Sequence, residues 1–275
     1  MIRTILQLMR FNKPIGIYLL WFPSAWAITL AYQAHPPVLI TLWFALGTIV
    51  MRAAGCVIND IADRQWDGQV QRTAQRPLAQ QTITLTSAWM VLFALLLIAL
   101  LILIQLPKNC FYGALPAVVL TFIYPFCKRF FATPQLFLGL AFTTSIPMVV
   151  LAANLTWNLD WTILWLLSFI WIIAYDTQYA LSDIEDDRRL GIRSSAIFFK
   201  NKVKIAIYSM QALVHGLWLI FVPLTPIFLL FWSLGLGFWI YQAYLLRQHQ
   251  PLQAFKNNAW YGLWMWVALY CTCSI

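Results

Sequence analysis

The stretch Val57–Pro77 reads VINDIADRQWDGQVQRTAQRP and follows an apolar run that ends in MRAAGC. It places three aspartates and three arginines at the end of a segment that is apolar enough to form a membrane helix. The chain of 275 residues is 62% hydrophobic and only 10% charged, whereas soluble domains contain about 25% charged residues. We therefore expect an integral membrane protein in which the charge at this helix end serves a function.

Apolar runs along the rest of the chain predict an all-α bundle of nine transmembrane helices. A helix needs roughly 20 mainly apolar residues to cross a bilayer, and nine runs approach that length. The short connections between several of them predict antiparallel neighbours within a single domain, residues 1–275. The predicted spans are 15–34, 38–58, 83–106, 110–127, 134–153, 161–181, 203–222, 224–245 and 258–274.

The basic residues predict the orientation of this bundle, because lysine and arginine are enriched in cytoplasmic loops. With the N-terminus in the cytoplasm, seventeen of the eighteen basic residues fall on the cytoplasmic side, and only Lys108 falls outside. The net charge of +9 is therefore interpreted as a topology signal. Since these residues are divided among separate loops, they form no continuous stripe, and we expect no nucleic-acid partner.

The acidic residues are concentrated more sharply than the basic ones. Eight of the nine carboxylates lie in two segments, at the predicted cytoplasmic ends of the second and sixth helices, and only Asp160 lies elsewhere. In the first segment Asn59, Asp63 and Asp67 recur every four residues, with Asp60 beside them. If the helix continues through this segment, these side chains share one face.

The second segment repeats this spacing. Asp183 and Asp187 are four residues apart, and Asp176 and Tyr179 would lie on the same face of one continuing helix. Like charges at this spacing repel each other, and a charge within a bilayer costs roughly 3 kcal/mol unless it is paired or hydrated. The two segments therefore predict a bound cation.

The ligand types predict that this cation is Mg²⁺. Carboxylate and amide oxygens favour a hard ion, and all three histidines lie outside both segments. Mg²⁺ held by few carboxylates usually completes its coordination with phosphate oxygens and water. Basic residues that follow each segment would bind the phosphates; they are Arg72, Arg76, Arg188, Arg189 and Arg193. The alternative is that these mixed-charge loops are merely solvated.

Five stretches of the sequence resemble the UbiA family of membrane prenyltransferases. ND-x-x-D-x-x-x-D at Asn59–Asp67 is similar to the first family signature, and DTQYALSDIEDDRRLGIRSSA at Asp176–Ala196 is similar to the second. The resemblance extends to RFNKPIG (Arg10–Gly16), YPFCKR (Tyr124–Arg129) and PQLFLGLAFTTSIPM (Pro134–Met148). The branch that these stretches resemble most acts on 4-hydroxybenzoate in ubiquinone biosynthesis.

This resemblance implies a fold and a reaction. The fold would be a nine-helix bundle around a central cavity, with two Mg²⁺ ions and a polyprenyl diphosphate that enters from the lipid bilayer. The reaction would transfer the prenyl group to the ring carbon ortho to the hydroxyl of 4-hydroxybenzoate, with release of diphosphate. The metal ligands would be Asn59, Asp60, Asp63, Asp67, Asp183, Asp186 and Asp187, and the catalytic residues Asp63, Asp67, Asp183, Asp187 and Tyr179.

Basic residues would bind the two substrates. Arg129 is the expected partner of the acceptor carboxylate, because a guanidinium can hold a carboxylate through two parallel hydrogen bonds. The residues expected to bind the diphosphate are Lys128, Arg72, Arg76, Arg10 and Lys13. The alternative for Arg10, Lys13, Lys128 and Arg129 is that they only anchor helix ends on the cytoplasmic side.

The expected location is a bacterial inner membrane, with the active site toward the cytoplasm, because no cleavage site or long Arg- and Ser-rich transit peptide precedes the first helix. No obligate protein partner is expected. Other functions stay open: an ion-coupled transporter, since carboxylates in membranes often mark ion paths, and an alcohol phosphotransferase. Within the family, naphthoate, homogentisate or haem are alternative acceptors.

Overall fold

The computed structural model describes residues 1–274, and every regular element among them is helical. Thirteen α-helices follow one another along the chain, together with short 3-10 turns at Asp67–Gln69 and Lys200–Lys202. The α-helices are α1 Ile2–Leu8, α2 Ile15–Ala31, α3 Val38–Asp63, α4 Leu85–Gln105, α5 Cys110–Cys127, α6 Gln135–Thr143, α7 Ser145–Ala152, α8 Leu159–Leu181, α9 Ile184–Leu190, α10 Ser195–Phe199, α11 Val203–Phe221, α12 Pro226–Arg247 and α13 Pro251–Cys273.

Seven helical segments of the described chain are long and apolar enough to cross a membrane, so this is a multi-pass membrane protein. Two of the nine predicted spans fall outside this group. Helix α2 has only 17 residues, and α13 is long enough but less apolar because it carries Gln253, Asn257 and Asn258. The seven segments are 38–63, 85–105, 110–127, 135–152, 159–181, 195–221 and 226–247.

Three of the predicted spans differ most from the observed helices. The span predicted for 134–153 is divided between α6 and α7 at Thr144. Helix α13 begins at Pro251, seven residues before the predicted start. Helix α3 continues to Asp63 instead of ending at residue 58, so part of the first acidic segment lies on the helix itself.

Contacts between distant parts of the chain close the bundle. Helix α13 packs against α2, α8 and α12, while α3 packs against α2, α4 and α5. The core contains three fully buried tryptophans, of which Trp26 contacts Trp171 at 4.9 Å in a tilted arrangement and Trp218 at 5.1 Å edge to face, measured between ring centroids. These three tryptophans are therefore packing residues of the core and not anchors at the membrane interface.

A buried network of amide side chains joins α8, α11, α12 and α13. Gln242 Oε1 accepts hydrogen bonds from Gln178 Nε2 and Gln211 Nε2, each at 2.8 Å. Asn258 Nδ2 donates to Gln178 Oε1 at 2.8 Å, and its Oδ1 accepts from Trp171 Nε1 at 3.0 Å. Because buried polar groups are costly when unpaired, this network fixes the rotation of α8, which carries the second acidic segment.

Candidate active site

A cavity of about 1100 Å³ runs through the part of the bundle formed by α2 to α8. One end is polar, and it lies where the C-terminal ends of α3, α5 and α8 meet. The remainder is walled by apolar side chains such as Trp43, Phe44, Leu103 and Met148. A chamber of this kind can bind a ligand that has a charged head and a long apolar tail.

The first acidic segment enters the polar end from α3. Asn59, Asp60 and Asp63 lie in the last turns of that helix, but Asp67 lies beyond its end and opens the 3-10 turn. The expected continuous helical face is therefore wrong for Asp67, because the chain turns after Arg64. Asp67 still lines the cavity, where Arg76 Nη1 lies 2.8 and 2.7 Å from its two carboxylate oxygens.

Asp60 and Asp67 of the first segment are buried. Burial raises the pKa of Asp67, although the neighbouring Arg76 guanidinium acts in the opposite direction. Asp60 is only 1% exposed, and its Oδ1 accepts from Arg10 Nη2 at 2.5 Å and lies 3.2 Å from Arg76 Nη1. Its other oxygen, Oδ2, is buried and has no hydrogen-bond partner among residues 1–274. A buried carboxylate oxygen without a partner is costly unless a cation or water satisfies it.

The second acidic segment is divided between two helices. Helix α8 ends at Leu181, Asp183 is the N-cap of α9, and Asp187 lies in the first turns of α9. The predicted single face running from Asp176 to Asp187 is therefore wrong. Gly191 ends α9 with a φ of +69°, a left-handed conformation that glycine adopts without strain.

Asp187 faces the cavity, and no cation of the described part of the chain lies within ion-pair distance of it. Burial, followed by repulsion from the Asp183 carboxylate, raises the pKa of Asp187 to about 7. Its backbone amide donates to the carbonyl of Asp183 at 2.8 Å, which holds the two residues together across the helix start. The carboxyl of Asp187 is thus a group whose charged form a bound cation would stabilise.

Ion pairs bring the two acidic segments to one place, although Asp63 and Asp183 are 120 residues apart in sequence. The guanidinium of Arg72, in the loop after the first segment, binds both carboxylate oxygens of Asp183 and the hydroxyl of Tyr179. Lys128, at the end of α5, lies 2.9 Å from Asp63 Oδ2. The loops also meet outside the cavity, where the amide of Gln71 donates to Asp186 Oδ2 at 3.3 Å.

Most of the residues predicted from the sequence line this cavity. They are Arg10, Lys13, Asn59, Asp60, Asp63, Asp67, Arg72, Arg76, Lys128, Tyr179, Asp183 and Asp187. Asp186 does not line it and instead pairs with Arg189 at 3.1 Å on the outer surface. Among the other arginines that follow the second segment, Arg193 lines the cavity and Arg188 does not.

The position of Arg129 differs from the one that the sequence interpretation requires. It is exposed outside the cavity, its Nη2 donates to the carbonyl of Ala62 at 3.0 Å, and its guanidinium lies over the ring of Trp66. The rotation of the chain at the end of α5 turns Lys128 inward and Arg129 outward. The geometry therefore does not fit the expected contact between Arg129 and an acceptor carboxylate inside the cavity.

Three charged residues that were not assigned to the site also line the cavity: Arg52, Asp176 and Lys256. Arg52 lies on α3, seven residues before Asn59, and was counted as a cytoplasmic charge. It donates to Cys56 Sγ at 2.8 Å and makes no ion pair within the described chain. Asp176 on α8 is 9% exposed and makes no ion pair within residues 1–274. The signal for Arg52 was a single charge inside an apolar run.

The family model for the UbiA prenyltransferase family matches residues 20–269, which is nearly the whole chain. The chain belongs to the UbiA prenyltransferase family. Two similar curated relatives are named 4-hydroxybenzoate octaprenyltransferase. The one from Legionella pneumophila (strain Lens) is 46% identical over 269 residues, covering 96% of this chain and 95% of the relative. The one from Coxiella burnetii (strain CbuK_Q154) is 40% identical over 276 residues, covering 97% and 95%.

Solved structures of UbiA homologues share the fold of this UbiA-family protein. A homologue from Aeropyrum pernix K1, solved without ligand, has a TM-score of 0.79 at 21% identity and covers 91% of this chain and 96% of its own. A homologue from Archaeoglobus fulgidus, bound to GPP and Mg²⁺, has a TM-score of 0.77 at 16% identity and covers 99% and 100%. At these identities the likeness concerns the fold alone.

The oxygen donors of this UbiA-family site fit a hard divalent cation. Asn59, Asp63, Asp183 and Asp187 supply amide and carboxylate oxygens to one cavity end. Asp60 Oδ2 is buried there and has no partner in the chain as far as residue 274. No three His, Cys, Asp or Glu side chains within residues 1–274 are close enough to hold one ion as they stand. Three of the carboxylates at this end, Asp63, Asp67 and Asp183, are instead paired with lysine or arginine side chains.

Proposed function

We propose that this protein transfers a polyprenyl group from polyprenyl diphosphate to the ring carbon ortho to the hydroxyl of 4-hydroxybenzoate, in ubiquinone biosynthesis. The observation that carries this proposal is the convergence of two acidic segments and several basic residues at the polar end of one apolar cavity. The acceptor is supported by the relatives named 4-hydroxybenzoate octaprenyltransferase at 46% and 40% identity. The proposed enzyme is a single domain.

We propose that Asn59, Asp63, Asp183 and Asp187 hold two Mg²⁺ ions, with Asp60 and Asp67 acting through water. When bound, Mg²⁺ stabilises the negative charge that develops on the diphosphate as the allylic C–O bond breaks. Asp186 would act only from outside, because it pairs with Arg189 and with the amide of Gln71. The Mg²⁺-bound homologue supports the choice of ion.

Basic residues would bind and orient the diphosphate. Lys128 and Arg72 lie nearest to the carboxylates of Asp63 and Asp183 and present their charges to the same cavity end. A guanidinium can hold two phosphate oxygens at once, whereas lysine acts as a point charge. Further positive charge at the mouth of the cavity is provided by Arg10, Lys13 and Arg76.

The cavity itself would protect the reacting allylic carbon. Departure of diphosphate with the bonding electron pair leaves positive charge on that carbon, and water must be excluded until the ring carbon attacks. Apolar walls provide this exclusion, and the aromatic rings of Tyr124 and Tyr179, which line the cavity, can stabilise positive charge. The ring then loses its proton and regains aromaticity.

Arg52 and Asp176 would bind the acceptor. The acceptor has a carboxylate at one end and a phenolic hydroxyl at the other, and these two residues offer a cation and a carboxylate that lack ion-pair partners in the described chain. Arg52 would pair with the carboxylate, while Asp176 would accept a hydrogen bond from the hydroxyl and so increase the electron density of the ring. This assignment replaces the one for Arg129.

The test of this function is an assay of the purified protein with 4-hydroxybenzoate, a series of prenyl diphosphates and Mg²⁺. We expect a prenylated product and stoichiometric diphosphate, both lost with EDTA. Parallel reactions with naphthoate, homogentisate and haem test the other acceptors, and a liposome flux assay tests the transporter. Ion movement across liposomes without diphosphate release would contradict the proposal, as would product formation only from another acceptor.

We also propose nine transmembrane helices, with the N-terminus and the active site on the cytoplasmic side of a bacterial inner membrane. The 17 residues of α2 span about 25 Å at the helical rise of 1.5 Å per residue, so modest thinning of the bilayer would let it cross. An odd number of spans puts the C-terminus outside. A reporter fused after residue 274 that is active only in the periplasm should therefore be active, and one inserted in the 64–84 loop should not.

A further inference from the structure

Two of the carboxylates proposed to hold metal, Asp63 and Asp183, already have cations as partners, and these cations also line the cavity. Arg72 binds Asp183 through two hydrogen bonds, and Lys128 lies 2.9 Å from Asp63 Oδ2. Lys128 Nζ also donates to Asn59 Oδ1 at 3.3 Å, so one ammonium occupies the oxygens of two proposed ligands. Both cations are partly exposed to the cavity, with 28% and 26% of the side chain accessible.

Each of these two cations can pair with a carboxylate or bind a diphosphate oxygen, but it cannot do both at once. While Arg72 and Lys128 bind carboxylates, they compete with a metal ion for the same oxygens. If they are displaced with nothing to bind, two positive charges remain in a confined apolar cavity, which is unfavourable. A diphosphate removes this cost, because its oxygens provide new partners for both side chains.

We propose that Arg72 and Lys128 are exchangeable placeholders for the metal: they neutralise Asp183 and Asp63 until diphosphate arrives, and then move from carboxylate to phosphate as the carboxylates become ligands. The inference rests on the proposed function for the identity of the two ligands. It predicts that metal alone and diphosphate alone each bind weakly, because each must break ion pairs without replacing them.

The placeholder function makes an unusual prediction about variants. Removal of a placeholder should strengthen the binding of metal alone, although the same side chain is needed for diphosphate. Loss of a positive charge from the general area also raises metal affinity slightly, so a matched control is required. Arg129 provides it, because it follows Lys128 directly, carries the same charge, and lies outside the cavity against the Ala62 carbonyl.

The experiment measures Mn²⁺ binding by electron paramagnetic resonance on the full-length protein in detergent, at one pH and without diphosphate. Mn²⁺ is the probe because it shares the oxygen ligands and octahedral preference of Mg²⁺. We expect Arg72→Met and Lys128→Met to bind Mn²⁺ about fivefold more tightly than Arg129→Met, the change expected from removing one competing ion pair. If both variants bind Mn²⁺ only as tightly as Arg129→Met or more weakly, the inference is overturned.

A reciprocal measurement uses inorganic pyrophosphate in EDTA. Asp63→Asn and Asp183→Asn free the two cations, so we expect them to bind pyrophosphate more tightly than the wild-type protein, while Asp160→Asn, at an exposed site on α8, does not. This pyrophosphate measurement tests the placeholder inference even if the methionine variants do not fold. If the wild-type protein prenylates 4-hydroxybenzoate, but the methionine variants bind Mn²⁺ no more tightly and the asparagine variants bind pyrophosphate no more tightly, the placeholder inference is refuted and the proposed function stands.

Discussion

Arg52 illustrates how a single residue can carry functional information in a membrane helix. A charge in the middle of a membrane helix costs roughly 3 kcal/mol relative to an apolar residue, and Arg52 makes no ion pair to offset this cost within residues 1–274. It lies on the cavity wall of α3, with Gly16 of α2 against its guanidinium. A cation kept in such a position at this cost is best explained by an anionic ligand.

We predict that Arg52→Met raises the KM for 4-hydroxybenzoate at least tenfold, since a charge-assisted pair of this kind contributes about 1.5–3 kcal/mol. The KM for the prenyl diphosphate should change little, because the diphosphate is assigned to other cations. Steady-state kinetics with each substrate varied in turn measures both values. Arg129→Met is the control. If it raises the KM for 4-hydroxybenzoate more than Arg52→Met does, Arg129 is again the expected partner of the acceptor carboxylate.

Gly16 provides a second test of the same contact without removing the charge. A Cβ added at this position would overlap the Arg52 guanidinium, so Gly16→Ala should displace that side chain. We expect a raised KM for 4-hydroxybenzoate with a nearly unchanged melting temperature, since the end of a flexible side chain can move. A purely structural effect would instead lower the melting temperature and leave the KM of the correctly folded fraction unchanged.

At the scale of elements, the helix ends determine how the site is built. Helix α3 continues into the first acidic segment, whereas α8 stops at Leu181 and a new helix begins after Asp183. This break places Asp183 at a helix start, where its carboxylate meets Arg72. The rotation of α8 above the break is fixed by the buried amides of Gln178, Gln242 and Asn258.

We predict that Gln242→Leu destabilises the protein by about 2 kcal/mol or more, because the Gln178 and Gln211 amides lose their shared acceptor in a buried site. Thermal unfolding in detergent measures the change. Gln253→Leu on the exposed surface of α13 is the control and should leave the melting temperature within experimental error. A Gln242→Leu variant as stable as the wild-type protein would show that the network is not needed to hold α8.

At the scale of the whole molecule, the cavity unites a charged end with a long apolar chamber. The chamber extends along α3, α4 and α5 to side chains such as Phe44, Leu103 and Leu106, near the opposite ends of their helices. The proposed prenyl tail would lie there. Gly47 is part of the wall, and a Cβ at this position would meet only Ile102 Cγ2 at 3.8 Å, so a larger side chain has room to enter the cavity.

We predict that Gly47→Trp lowers kcat/KM for long prenyl diphosphates much more than for short ones, because the indole would fill the path of the tail. Competition between donors of different length measures this selectivity. Gly216→Trp, at an exposed position on α11 with open space around it, should leave the selectivity unchanged. A uniform loss across all donors in Gly47→Trp would indicate that the tail follows another route.

The sequence by itself determined the membrane class, the approximate helices and the two acidic segments, because each follows from local composition or spacing. Thirteen of the predicted site residues line one cavity, because helix ends and the loops next to them meet at the same side of the bundle. Only the tertiary structure decided that Lys128 faces inward and Arg129 outward, that Arg52 is a cavity residue, and that α8 breaks before Asp183. These features depend on helix ends and on rotation about helix axes, which are set by packing between residues far apart in the chain.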